Sequence, residues 1–175
     1  MSLMKLQKVL FAVIATAVAI AGCGSAKESN ALFNDADAMF AQMMIPHHEQ
    51  AIEMSEMALM NSTNPDVLEL AQKIKSAQDP EIDLMKSWAG VKVSTHAGHM
   101  MDGMLSDQQI QQLRDTEGVT FDRLFLEGMI AHHQGAIKMA DTVIAEGKSA
   151  PVQELANAII QAQKSEIDTL ELLLK

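Results

Sequence analysis

Two stretches of the chain set adjacent histidines among methionines: "MMIPHHEQAIEM" at residues 43–54 and "GMIAHHQGAIKM" at residues 128–139. On a helix, Met44 stands three residues before His47 and four before His48, and Met54 follows His47 by seven. One face can therefore present these side chains over about two turns. Met129, His132, His133 and Met139 repeat the arrangement. Thioether sulfur is a soft donor that favours Cu(I), and imidazole accepts Cu(I), Cu(II) and zinc, so the mixed set points to copper above other first-row metals. The competing explanation is packing, because a methionine stripe is ordinary core material. Adjacent histidines also lie about 100° apart on the helical wheel, so both cannot face the same way. Recurrence of the pair in both halves favours a metal role for His47, His48, His132 and His133, with Met44 and Met129. Met54 and Met139 fit ligand and core equally.

A third tract, "HAGHMMDGM" at residues 96–104, has His96 and His99 three apart, followed by Met100, Met101 and Met104. It holds two glycines and reads as a loop, which has little core to fill. The composition suits a second, looser soft-metal site, expected to bind independently and more weakly because no packed scaffold preorganises it. A linker of accidental composition is the other reading.

The histidine stretches belong to a longer repeat. At an offset of 85 residues Phe40 meets Phe125, the two His-His pairs meet, and "ELAQKIKSAQDPEID" (69–83) meets "ELANAIIQAQKSEID" (154–168). Such self-similarity marks internal duplication and predicts two similar helical hairpins. Phe40, Met43, Met44, His47, Ala51, Met54 and Ala58 follow helical spacing. Asn64 and Pro65 form a cap and first turn, and a return stripe runs through Val67, Leu70, Ile74, Ala77 and Trp88 to a stop at Gly90. In the second unit Gly147 ends one helix, and Val152, Leu155, Ile159 and Ala162 mark the next. Pro46 and Pro80 are expected to kink their helices. Between the units, Ser106 with Gln109 opens a short helix that Gly118 closes. With no strand-like alternation, the chain reads as all-α, an antiparallel four-helix bundle of two repeated hairpins joined by a long connection.

Equal rise along paired helices places His47 level with about residue 78 and His132 with about residue 165. Gln78, Glu81, Gln163 and Glu166 then lie beside the histidines, where a carboxylate accepts the second imidazole N–H and raises ligand basicity. A register shift of one residue would instead bury Ile82 and Ile167 and turn both glutamates to water.

Composition narrows the partners. The formal charge of -10 argues against nucleic acid. Lys5 and Lys8 followed by the apolar run at 9–22 read as an export signal, too short for a comfortable membrane span. "IAGC" at 20–23 resembles the lipobox of bacterial lipoproteins, which makes Cys23 a lipidated first residue and the membrane a partner through that anchor. An ordinary signal peptide with an incidental cysteine is the alternative. In a Gram-negative host, Gly24 points to the outer membrane. With Cys23 acylated no thiol remains, so soft-metal chemistry falls to histidine and methionine. The expected organisation is a signal at 1–22, a lipidated cysteine and tether at 23–30, and the bundle at 31–175. The bundle divides into repeat one at 31–90, linker and short helix at 91–118, and repeat two at 119–175.

"MIPHHEQAIEM", "FDRLFLEGMIAHHQGAIKMA" and "HMMDGMLS" resemble the bacterial family catalogued as domain of unknown function 305. The resemblance covers nearly all of residues 31–175. It implies a ferritin-like four-helix bundle, a place in the periplasm or at the cell surface, and copper binding linked to copper resistance. Gly128 departs from it, standing where the family often has a methionine, so any ligand there is missing. The expectation is an exported, lipid-anchored protein that binds Cu(I), with Cu(II) as the second state, for buffering, transfer or resistance. No catalysis is expected, and a copper-transfer protein is a further partner. A ferritin-like di-iron or haem redox protein is the alternative, although no Glu-x-x-His motif is present. The absence of Cys-x-x-Cys-His excludes only covalent haem. A structural lipoprotein without metal is the third reading.

Overall fold

A computed structural model describes residues 33–88 and 101–175. The expectations for the export signal, Cys23, the tether, the stop at Gly90, and His96, His99 and Met100 fall outside the described residues. Among the described residues there are five helices and no strand: α1 (Asp35–Asn61), α2 (Pro65–Ser87), α3 (Asp107–Arg114), α4 (Gly118–Glu146) and α5 (Ala150–Leu173). None of them is long and apolar enough to cross a membrane.

The helix starts follow from local chemistry. At α1 the Asn34 side chain accepts from the Asp37 amide, and the Asp37 carboxylate accepts from the Asn34 amide at 2.8 Å, a reciprocal capping box. Asn64 caps α2 with Pro65 in its first turn. Ser106 and Gln109 cap α3, which ends at Arg114 with Asp115 beyond it. Gly118 therefore does not close α3, as its sequence position suggested. It opens α4 with a φ of 59°, a conformation that lets the chain swing sharply from one helix into the next. Pro46 and Pro80 lie inside continuous helices.

Helix α1 packs along α2, α4 along α5, and α1 against α4, whereas α2 and α5 touch far less. The α1–α4 pair is antiparallel, since the Asn34 side chain at the start of α1 donates to the Glu146 carbonyl at the end of α4 at 2.8 Å. Buried apolar side chains fall into two clusters. One gathers Phe121, Phe125 and Met129 with Met54, Leu70 and Ile74. The other gathers Phe40, Met44 and Ile45 with Met85, Val143 and Ile159. The return stripes differ from the expected ones where the clusters part. Ala77 and Ala162 are exposed, and Gln78 and Gln163 are buried in their place. The inner row of α2 keeps strict four-residue steps, Leu70, Ile74, Gln78, Ile82, and so carries a polar side chain inward at its third member.

Asp37 ties the two hairpins together and is fully buried. Besides capping α1, its carboxylate accepts from the amides of Lys148 and Ser149, both at 3.2 Å to Oδ1. Helix α5 has no side-chain cap of its own, so an anion from α1 meets its positive end. Asp37→Ala would leave these amides without an acceptor and is expected to cost about 2 kcal/mol. A denaturant titration showing a change below about 0.5 kcal/mol, the range of inert surface substitutions, would contradict this.

Candidate metal centre

Between the two apolar clusters lies a polar layer. His47 and His48 from α1, and His132 and His133 from α4, are all fully buried. The 100° between neighbouring side chains on a helix divides each pair into an inner and an outer member. The inner rings, His47 and His132, face each other across α1 and α4 with centroids 3.7 Å apart and planes at 41°. The outer rings turn to the return helices. His48 Nε2 lies 2.8 Å from Glu81 Oε2, and His133 Nε2 lies 2.6 Å from Glu166 Oε2. Each glutamate is about one-fifth exposed, so it reaches both the ring and solvent. Ile82 is buried beside Glu81, so the register that places the carboxylate at the imidazole also buries this isoleucine. Ile167 is only partly buried.

The hydrogen bonds define the donor set. A carboxylate accepts, so Nε2 of His48 and of His133 is placed to donate, and the neutral tautomer with its proton there has its lone pair at Nδ1. Neither Nδ1 has a protein partner, and neither do the two ring nitrogens of His47 and of His132 or the amides of Gln78 and Gln163. A buried polar atom left in this state costs about 1–3 kcal/mol. A cation that accepts imidazole lone pairs would remove that cost, and the residues present fit one.

Burial, and then the neighbouring His48, hold the His47 imidazole far below its ordinary value, at about 3. The Asp102 carbonyl opposes this without reaching hydrogen-bond geometry. Burial, followed by His47 and His133, likewise holds His132 well below the usual range. Both rings are neutral at physiological pH, the form that binds metal. Because protonation is favoured only in the unfolded chain, titration of these rings leaves stability unchanged above about pH 6.5 and lowers it progressively as pH falls below that. The metal-free protein is expected to lose denaturant resistance steadily from about pH 6.5 to about pH 4. A flat profile across that interval would contradict the assignment.

The methionines separate into different places. Met44 is buried in one apolar cluster and Met129 in the other, so one thioether flanks each side of the layer. Met54 is buried in the same cluster as Met129. Met139 is only partly buried and lines a surface cleft with Met39 and Met43. Among the described residues no three histidine, cysteine, aspartate or glutamate side chains converge as ligands for one ion. Imidazole with thioether is then the donor chemistry on offer, and it suits a soft ion.

The segment Met101–Leu105 lies as a strap across the same face of α1 and α4. The Gln50 amide grips Leu105 from both sides, donating to its carbonyl at 2.9 Å and accepting from its amide at 2.8 Å. On α4, 85 residues further on, stands Gly135, where a β-carbon would sit 1.9 Å from the Asp102 carbonyl oxygen. Gly103 has a φ of 83°, and Asp102 pairs with Lys138. The sequence suggested a loop with little core to fill, yet Met101 is buried and Met104 partly so. Gln50 and Gly135 are the cause, since each breaks the repeat to seat the strap. Leu105 also occupies the space at Gly128, where a β-carbon would meet its Cδ2 at 3.1 Å. Two buried aspartates escape the sequence reading: Asp37 and, 85 residues on, Asp122, whose Oδ1 has no partner. Their match at the repeat offset was the signal that could have found them.

Residues 37–174 match the family described as domain of unknown function (DUF305). No curated protein matches the chain. Among solved structures, the DUF305 protein of Streptomyces coelicolor is 29% identical with a TM-score of 0.74, over 79% of this chain and 91% of that one. A DUF305 fragment from Deinococcus radiodurans is 30% identical with a TM-score of 0.72, over 81% and 97%. CopM in its Cu(II)-bound form is 33% identical with a TM-score of 0.69, over 79% and 95%. CopM is also solved in Cu(I)-bound, silver-bound and metal-free forms.

Proposed function

We propose, from the premise that this chain belongs to the DUF305 family, that it is an exported protein which binds Cu(I) in the histidine layer of a ferritin-like four-helix bundle built by duplication. The observation that carries this reading is the set of four buried imidazoles, six of whose ring nitrogens have no protein partner. The copper- and silver-bound forms of CopM support it. His47 and His132 are the central donors, His48 and His133 offer Nδ1, and Met44 and Met129 supply thioether on either side. Copper here is cargo, held for buffering or handed to a partner protein, and no catalysis is involved. His96, His99 and Met100 of the linker, with Met101 and Met104, belong to a second, looser site that binds independently and more weakly, and lipidation at Cys23 anchors the whole to a membrane.

Glu81 and Glu166 fix the tautomer of the outer rings and raise their basicity. A Glu81→Gln, Glu166→Gln protein is expected to bind Cu(I) roughly 10 to 100-fold more weakly with unchanged stoichiometry, measured by competition with a chromophoric Cu(I) chelator. Unchanged affinity would remove the carboxylates from the site. Lost stoichiometry would make them ligands and return the iron reading to contention.

A further inference from the structure

Methionine sulfur also gathers outside the histidine layer. Met39 and Met43 are one turn apart on α1 and share a face. With Met139 of α4 they line a cleft of about 190 Å³, together with Phe40, Val143 and Glu146. Met39 is 59% exposed, an unusual place for a side chain whose only task is filling a core. The other end of the molecule offers an internal comparison. The positions 85 residues after Met39 and Met43 are Leu124 and Gly128, and the position 85 before Met139 is Met54. There Leu124 and Gly128 line a cleft of about 260 Å³ walled by leucine and polar side chains, with Met104 as its one thioether. A β-carbon at Gly128 would meet Leu105 Cδ2 at 3.1 Å and Met54 Cε at 3.3 Å. The cleft at the Met39 end is walled instead by three thioethers.

We infer that Met39, Met43 and Met139 form a second, surface site for a soft monovalent ion, Cu(I) or Ag(I), distinct from the buried histidines. Uncharged thioethers favour such an ion over Zn(II) and Cu(II). Glu146, the one acid lining the cleft, adds a field that draws cations. Met43 lies one turn from His47 along α1, so the cleft adjoins the histidine layer and is a place where an arriving ion is first held. The inference rests on the copper reading only for the identity of the cargo.

The test is a titration of the whole chain with Ag(I), a redox-silent probe, followed by the labelled methyl resonances of its methionines and by bound silver. The methyl signals of Met39, Met43 and Met139 are expected to move together and to ignore Zn(II). A Met39→Leu, Met43→Leu, Met139→Leu protein replaces the three thioethers by hydrocarbon of similar size. It is expected to stay folded and to bind one ion fewer, while the ring signals of His47 and His132 still respond. Silent methyl signals, or an unchanged number of bound ions in the triple variant, would overturn the inference. Failure of the histidine reading is seen separately, as ring signals that stay fixed while the three methyl signals move.

Discussion

Gly135→Ala is expected to lift the strap at Met101–Leu105 from α4 and to destabilise the protein by about 3 kcal/mol or more, at or above the upper end of ordinary overpacking. The new β-carbon would sit 1.9 Å from the Asp102 carbonyl oxygen, 2.6 Å from its carbonyl carbon and 3.0 Å from Gly103 Cα. Every obstacle is backbone, so no side-chain rotation relieves it. Gly103 cannot retreat freely, because its φ of 83° already commits the turn. The sign of the effect is diagnostic. In a helix with nothing packed on it, alanine is about 1 kcal/mol more favourable than glycine, so a stabilised Gly135→Ala protein would show that the strap does not rest there. Thermal unfolding supplies the stability change, and limited proteolysis within residues 101–105 reports whether the strap has come loose.

The second large effect separates function from stability. A His47→Leu, His132→Leu protein is expected to lose Cu(I) binding at the layer and, without metal, to be more stable than the parent by roughly 2 kcal/mol. The four nitrogens of these two rings have no partner, and removing unsatisfied buried polar atoms in favour of apolar groups of similar size relieves their desolvation cost. The parent should gain resistance to urea when Cu(I) is added, by about 2.7 kcal/mol at a hundredfold excess over the dissociation constant, and the variant should gain none from the layer. If the rings were held there for packing alone, the substitution would destabilise the metal-free protein. That outcome would oppose the copper reading.

The repeat made much of this legible. An offset of 85 residues brings His47 and His132 into equivalent places, and the rise per residue along paired helices puts Glu81 and Glu166 opposite the histidines, where the 2.8 Å and 2.6 Å contacts lie. Sequence spacing could not tell which histidine of each pair faces inward, because helix rotation is set by the neighbours and not by the helix itself. The exposed Ala77 and buried Gln78 show the same limit. Small apolar residues satisfy either face, and a glutamine becomes an inward residue only when a polar layer waits for it. The strap was least legible, because its seat depends on Gln50 and Gly135, which differ between the repeats. Departures from a repeat carry information that the repeat itself hides. Gly118 was misread for a related reason, since a glycine of positive φ serves the end of one helix and the start of the next equally well.

Anomalous diffraction at the copper edge from crystals of the Cu(I)-loaded protein locates the bound ion. A copper peak is expected inside the polar layer between the two apolar clusters, bonded to ring nitrogens of His47 and His132. Copper found only at the surface, with all four imidazoles unligated in the loaded protein, would contradict the histidine reading.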